Sequence, residues 1–334
     1  MLTIQLDHMP KLVLETGSDT SWAVTFHPDG MHVFGGTKND IRRWRLADGQ
    51  EVGKQTVTGK YANTIAVSRD HKWVVFGTWE GAKVWDTELR KKVVEVEDTE
   101  DVRGVDVAPD STRFSTGTFE GKASIWNITT GERLVGPLDH DGPVSGIKFS
   151  VDGGCIATAC RQHSTIRIFD SHNGDQLVSI DNPMPGAYPT TPIDWSTDNR
   201  RLFAISNGHK IKSFDSSTGS QLAEWQIHEN NSQRMSIALS TNNKFIASSA
   251  GRSVSFWDTS THLQLGIVEQ TDVIQSIALS PDGSHLAIGS DNSGTINIWD
   301  LRGILPEPYL PIEVSIIFTG RGQHSLIVFH SICT

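Results

Sequence analysis

The amino-acid sequence predicts an all-β fold made of one unit repeated seven times. Three observations carry this expectation. An aromatic residue, usually followed by Asp, recurs at Trp44, Trp85, Trp126, Phe169, Phe214, Trp257 and Trp299, with successive spacings of 41, 41, 43, 45, 43 and 42 residues. A fixed period of about 40 residues is the mark of one supersecondary unit copied along a chain. Upstream of each aromatic an apolar run closes on a turn, at residues 23–30, 63–70, 104–110, 146–153, 192–198, 236–242 and 276–283. Downstream, a second turn follows most of them (Asp48-Gly49, Thr130-Gly131, Asn173-Gly174, Thr218-Gly219) and leads into a further apolar strand.

Each element of the unit has a local cause. The upstream runs are short and of period two, as strands require, and four of the seven end in Pro-Asp or Asp-Gly steps, the others in Asp or Asn. Pro presets φ and Gly accepts positive φ, so these steps turn the chain back as hairpins. The recurrent aromatic closes the next strand, and the second turn feeds the last. Each unit therefore holds four strands. A buried aromatic removes about 150–250 Å² from water, which at about 25 cal/mol/Å² is several kcal/mol per unit, so all seven aromatics are expected in the core.

Over residues 11–302 this pattern resembles the WD40-repeat family, which implies a seven-bladed β-propeller of four-stranded antiparallel blades. In that family the last blade is commonly closed by a strand from the other end of the chain. The segment after Asp300 (residues 301–306) lacks the usual turn and strand, whereas an apolar run, residues 11–14, precedes the first unit. Residues 11–14 are therefore expected to complete blade 7, which would remove an exposed sheet edge. No linker rich in Pro, Ser or Gly interrupts the array, so residues 11–302 are read as one domain.

The tail, residues 303–334, does not fit the period. Residues 314–318 and 325–329 read as a β-hairpin, and three readings fit the tail: a strand pair docked on the ring, an interaction tail that is partly disordered, or sequence foreign to the native product. Arg321 and His324 interrupt its apolar residues, so no membrane span is expected there.

The formal net charge of −10 argues against a nucleic-acid partner, because phosphate binding rests on Lys and Arg. Three cysteines supply no disulfide framework. The N-terminus lacks a basic region followed by a long apolar stretch, so no secretory leader is expected. The expected compartment is the cytoplasm, with the nucleus as the alternative.

Catalytic, cofactor and metal sites are not expected. The 13 His show no pairing with Cys, Asp or Glu at metal-ligand spacing, and neither a nucleophile elbow nor a phosphate-binding loop is present. Asp106 and Asp194 recur beside the innermost strands as satisfied structural carboxylates. The resemblance gives His140 and His228 the role of structural histidines that bond a strand hydroxyl. The network looks degenerate, since the other blades lack the His, and blade 4 shows His163 and Ser164 where the turn Asp would stand.

The resemblance also implies partner binding on the loop-rich top face. Side chains there come from the start of each innermost strand (Trp22, Asn63, Arg103, Ser145, Thr191, Met235, Gln275). Others stand two residues earlier (Thr20, Tyr61, Asp101, Pro143, Pro189, Gln233, Val273), and the turn before the aromatic strand adds Trp79 and Phe119. The expected partner surface is Trp22, Tyr61, Trp79, Arg103, Phe119, Asp101, Gln233 and Met235. Large aromatics on a loop face are interface anchors. Beside them Glu95, Glu97, Asp98, Glu100 and Asp101 form an acidic stretch, which suits a protein or peptide partner with apolar anchors ringed by Lys or Arg. The function expected is a non-enzymatic interaction scaffold. One alternative is a substrate receptor of a cullin-RING ubiquitin ligase, from the partial Trp-Asp-x-Arg box at Trp299, Asp300 and Arg302, where Ser293 stands in place of the box's Asp. The other is a propeller hydrolase or lyase acting at the channel mouth.

Overall fold

A computed structural model of the chain describes residues 9–18, 20–21, 23–38, 40–56, 61–89, 91–96, 101–160, 165–182, 192–207, 209–227 and 235–311. These residues form seven separate four-stranded antiparallel sheets. Blade 1 runs Ala23–Phe26, His32–Gly36, Asp40–Arg45 and Glu51–Thr56, blade 2 Thr64–Val67, Trp73–Thr78, Gly81–Asp86 and Lys91–Val96, and blade 3 Val102–Val107, Arg113–Thr118, Lys122–Asn127 and Arg133–Asp139. Blades 4 to 6 repeat the plan from innermost strands Val144–Phe149, Ile193–Trp195 and Met235–Leu239. The innermost strands touch in order around the ring, and that of blade 7, Ile274–Leu279, lies against that of blade 1. The ring is closed, and the seven-bladed propeller is the fold of the chain.

Closure uses the chain's beginning, as expected. Leu12–Glu15 pairs antiparallel with Thr295–Asp300 as the outermost strand of blade 7, in the register Leu12 to Ile298 and Leu14 to Ile296. Leu14 is buried among Val24, Val33 and Trp44 of blade 1 and Ile296 and Ile298 of blade 7. The closing strand thus satisfies the backbone of one edge and fills the wedge between first and last blades.

Six of the seven recurrent aromatics are buried. The seventh, Trp85, is half-buried and packs against the cluster that joins blades 1 and 2. Trp126 and Trp257 donate their indole N–H to Thr116 Oγ1 at 2.9 Å and Ser248 Oγ at 3.0 Å. The indole nitrogens of Trp85 and Trp299 find no acceptor among the described residues. Their strand neighbours in the same register slot are Phe76 and Ile288, which have no hydroxyl to offer. The expected degeneracy of the network is therefore a matter of single side chains.

After Asp300 the chain stays on the ring. Leu301 and Leu305 join the core shared by blades 6 and 7, and a single 3-10 turn, Glu307–Tyr309, follows. Tyr309 Oη donates to Asp258 Oδ2 at 2.5 Å, Asn242 Nδ2 to the Tyr309 carbonyl at 3.1 Å, and Lys244 Nζ to the Pro308 carbonyl at 2.6 Å. The hairpin expected over residues 314–329 lies outside the described residues. Among the described residues no helix is long and apolar enough to cross a membrane.

Candidate functional site

In an antiparallel blade the turn between the second and third strands and the loop to the next blade fall on one face, here called the top. Two such turns carry Trp79 and Phe119, with 46% and 44% of their surface exposed. Both are held by backbone bonds to one residue of the inter-blade loop. The Asp101 N–H donates to the Trp79 carbonyl, and the Asp101 carbonyl accepts from the Phe119 N–H, each at 3.0 Å. Asp101 reaches both by adopting φ 43°, a left-handed conformation that Asp tolerates better than most residues. The turn under Phe119 needs Gly121, whose φ is +82° and whose Cβ, if present, would meet the His140 carbonyl oxygen at 2.6 Å.

Side-chain contacts extend this ridge on both sides. The Tyr61 and Trp79 rings stack at 5.0 Å with a 34° tilt, and Lys38 Nζ lies 5.8 Å from the Tyr61 ring centre. The Arg103 guanidinium sits 5.4 Å from the Phe119 ring centre and donates to Asp101 Oδ2 at 2.6 Å. Asp101 Oδ1 and Arg103 Nε are buried and have no partner among the described residues. Glu80 and Glu120, next to the two aromatics, are exposed. Tyr61, Trp79, Asp101, Arg103 and Phe119, singled out in the sequence from three separate columns, thus form one continuous strip over blades 2 and 3.

Other members of the expected surface fall elsewhere. Met235 is a correction: it is 1% exposed and packed among Phe203, Ile205, Ile237 and Trp257, because the first residue of that strand turns into the core between blades 5 and 6. Trp22, Gln233, His163, Ser164, His228, Glu97, Asp98 and Glu100 lie outside the described residues. Glu95 is engaged within blade 2, pairing with Lys83 at 3.1 Å and with Lys92. Arg302 folds back on its own Asp300 at 3.8 Å, and Ser293 contacts Thr295.

The carboxylates on the innermost strands of blades 3 and 5 hold neighbouring blades together. Asp106 Oδ2 accepts the Phe149 N–H at 2.8 Å and Asp194 Oδ2 the Leu239 N–H at 2.9 Å, so each ties its innermost strand to that of the following blade. Between them Lys148, on the innermost strand of blade 4, reaches Asp106 Oδ1 at 3.4 Å. The Asp106 charge raises the Lys148 pKa above its usual range against the opposing effect of burial. Burial pushes the Asp194 carboxyl up, with the Lys148 charge opposing it. His140 takes the expected structural place, with Nε2 2.8 Å from Thr158 Oγ1 and Nδ1 2.9 Å from the Leu138 carbonyl.

One cluster escaped the sequence reading, which expected no metal-ligating set. His27, Asp29 and His32 lie on the first hairpin turn of blade 1, with their ligand atoms all within 4.8 Å of one another. The residues stand at i, i+2 and i+5, and the turn places His27 across from His32, whose carbonyl accepts the His27 N–H at 2.9 Å. Burial raises the Asp29 carboxyl, but the Met31 amide and the two imidazoles outweigh it and hold its pKa at about 2. The legible signal was a departure from the repeat. The His27 slot is Ser68, Ser150, Ser196, Ser240 and Ser280 in five other units and Ala108 in the sixth.

The closed ring of seven four-stranded blades, each built on the same repeat, defines a repeat β-propeller. The chain belongs to the WD40-repeat β-propellers: the family described as Nucleolar protein 10-like, N-terminal domain matches residues 21–191, just over half of the chain, and that described as WD domain, G-beta repeat matches residues 219–258 and 264–300. The chain is 24% identical over 261 residues to the Periodic tryptophan protein 2 homolog of Dictyostelium discoideum, covering 65% of this chain and 28% of that protein. It is 28% identical over 138 residues to the guanine nucleotide-binding protein subunit beta of Arabidopsis thaliana, covering 38% and 37%. It is 24% identical over 195 residues to eukaryotic translation initiation factor 3 subunit I of Emericella nidulans, covering 55% and 58%. The chain thus spans less than two thirds of each of these relatives. Among solved structures, the Cps50 (Swd1) β-propeller domain of Myceliophteria thermophila superposes with a TM-score of 0.76 at 17% identity, covering 88% of this chain and 99% of that one.

Proposed function

We propose that the protein is a non-enzymatic scaffold that presents the strip Tyr61, Trp79, Asp101, Arg103 and Phe119 to a protein or peptide segment. The observation that carries this reading is the exposure of Trp79 and Phe119 on turns whose backbones are both bonded to Asp101. Aromatic and Arg side chains dominate binding energy at interfaces, and a ring that already fixes them loses little ordering entropy on association. Glu80 and Glu120 give the strip an acidic border, which suits a basic partner with apolar anchors. Relatives named as a G-protein subunit and an initiation-factor subunit support a role within assemblies. The nucleolar names among the matches favour the nucleus over the cytoplasm.

Affinity capture from native extract, wild type against the Trp79→Ala, Phe119→Ala double variant, tests the proposal. Partners recovered by the wild type are expected to be lost from the variant while its thermal unfolding is unchanged. Equal recovery by a variant that folds normally would remove the strip from the interface.

A further inference from the structure

We propose that the first turn of blade 1 binds a divalent transition-metal ion of the zinc class through His27 Nδ1, Asp29 Oδ2 and His32 Nδ1. Both imidazole nitrogens converge on one carboxylate oxygen, at 2.9 Å from His27 and 2.8 Å from His32. His27 Nδ1 also accepts the Asp29 backbone N–H at 3.3 Å, a long bond that this nitrogen would exchange for the ion. Two imidazoles and one carboxylate are the ligand set of a borderline cation, and three protein ligands leave a fourth tetrahedral position for water. Bonds of about 2.0–2.1 Å at tetrahedral angles separate neighbouring ligand atoms by about 3.3 Å. The two short pairs would open by less than a rotamer change to admit the ion. Calcium and magnesium are a poor match, since they require six or more oxygen ligands.

The surroundings resemble those of a built metal site. Asp29 Oδ1 accepts the Met31 N–H at 2.7 Å and the His32 N–H at 3.2 Å, which orients the carboxylate and leaves Oδ2 for the cluster, as supporting hydrogen bonds do for metal ligands. His27 is 5% exposed. Its ring is flanked by Phe34 at 5.9 Å and, from the neighbouring turn of blade 2, by His71 edge-on at 4.7 Å. Asp29 and His32 keep side-chain exposures of 16% and 20%, an opening by which an ion can enter.

The other six units show that the fold does not require this arrangement. In five of them a Ser hydroxyl bonds the acid or amide two residues on: Ser68 to Asp70 at 2.5 Å, Ser150 to Asp152 at 2.6 Å, Ser196 to Asp198 at 2.6 Å, Ser240 to Asn242 at 2.8 Å and Ser280 to Asp282 at 2.5 Å. The His32 slot holds Trp73, Arg113, Cys155, Arg201, Phe245 and His285. Blade 1 alone puts His in both positions around the same Asp. A substitution that the turn does not need, made twice and aimed at one oxygen, is what a ligand site would require.

The test uses the full chain, stripped with chelator and dialysed. Zinc is titrated calorimetrically, and cobalt, as a spectroscopic probe, by visible absorption. One ion per chain is expected, bound at micromolar concentration or tighter, with intense cobalt d–d bands of a tetrahedral site. His27→Ser, which installs the residue of five sister turns, and His32→Ala should each weaken binding at least tenfold. His172→Gln, at an exposed histidine elsewhere on the ring, should leave it unchanged. The absence of wild-type binding at about 100 µM zinc, or an affinity equal to that of wild type in His27→Ser or in His32→Ala, would overturn the assignment. Because Ser is native to this turn in other blades, loss of binding with an unchanged unfolding midpoint separates ligand loss from misfolding.

Discussion

Trp126 and Phe119 lie in the same blade, seven residues apart, and obey opposite rules. Trp126 is 3% exposed, its indole nitrogen is bonded to Thr116, and the Arg133 guanidinium lies 4.7 Å from its ring centre. Its slot is aromatic in all seven units. Phe119 is 44% exposed, and its slot is Trp79 in blade 2 but Asn207, Gly251 and Asp291 in blades 5, 6 and 7. Whatever every blade must do to wedge against its neighbour recurs at each period. Whatever only one sector of the ring does appears as a departure from it.

The sharpest break of this comparison is a pair of truncations. Trp126→Ala opens a cavity in the core shared by blades 2 and 3 and orphans the Thr116 hydroxyl, at an expected cost of about 3–5 kcal/mol. Phe119→Ala removes a ring from solvent-facing surface and should change stability by about 0.5 kcal/mol or less. Guanidinium unfolding midpoints of the two variants measure this. Similar losses at both positions would mean that Phe119 is part of the scaffold and would withdraw it from the recognition strip.

The same division decides how much of the molecule the sequence reveals. The ring and the seven wedges were legible because they repeat and because burial allows only a few residue types at each slot, and the closing strand because the last unit lacks its own fourth strand while an apolar run precedes the first. The strip over blades 2 and 3 was legible only in part. Trp79 and Phe119 stand out as large rings in turn slots, whereas Met235, which aligns with Arg103 in the sequence, points inward because blade 3 has a bulge that inserts Arg103 between Val102 and Gly104 and blade 6 has none, so Met235 pairs with Ala250 as buried Val102 pairs with Thr118. The cluster of His27, Asp29 and His32 was passed over for another reason. Its three ligands are brought together across a hairpin turn, and their spacing resembles no linear ligand motif. Alignment of the seven turns would have exposed it.

A second, smaller effect tests whether the indole hydrogen bond is part of the repeated rule or a local addition. Thr116 is fully buried, so Thr116→Val keeps its shape and leaves the Trp126 N–H without an acceptor, at an expected cost of about 1–3 kcal/mol. In blade 7, where Ile288 already fills that slot, Ile288→Val should cost only the lost methylene, about 0.5–1.5 kcal/mol. A double-mutant cycle of Thr116→Val with Trp126→Phe isolates the bond, with a coupling of about 1 kcal/mol expected. Zero coupling would make blades 3 and 7 equivalent and the hydrogen bond incidental.

The smallest effect concerns acid. Burial lowers the pKa of His140 below its ordinary 6.5, the nearby Arg167 charge adds to this, and the Leu138 carbonyl and the Asp141 charge oppose it. Burial likewise lowers His285, with Lys11 the next contributor and Asp300 and Asp282 opposing. The folded state therefore holds both rings neutral at a pH where the unfolded chain has begun to protonate them. Between the unfolded value of 6.5 and the lower folded values the unfolded state binds more protons, so stability is fully present above that window and falls as pH drops through it. His140→Gln cannot take up the proton and should flatten this part of the profile, measured as unfolding midpoint against pH, while wild type and variant keep parallel profiles above the window. Identical slopes below 6.5 would show that His140 titrates alike in the folded and unfolded chains, and that its contact with Thr158 is a surface feature rather than part of the wedge in blade 4.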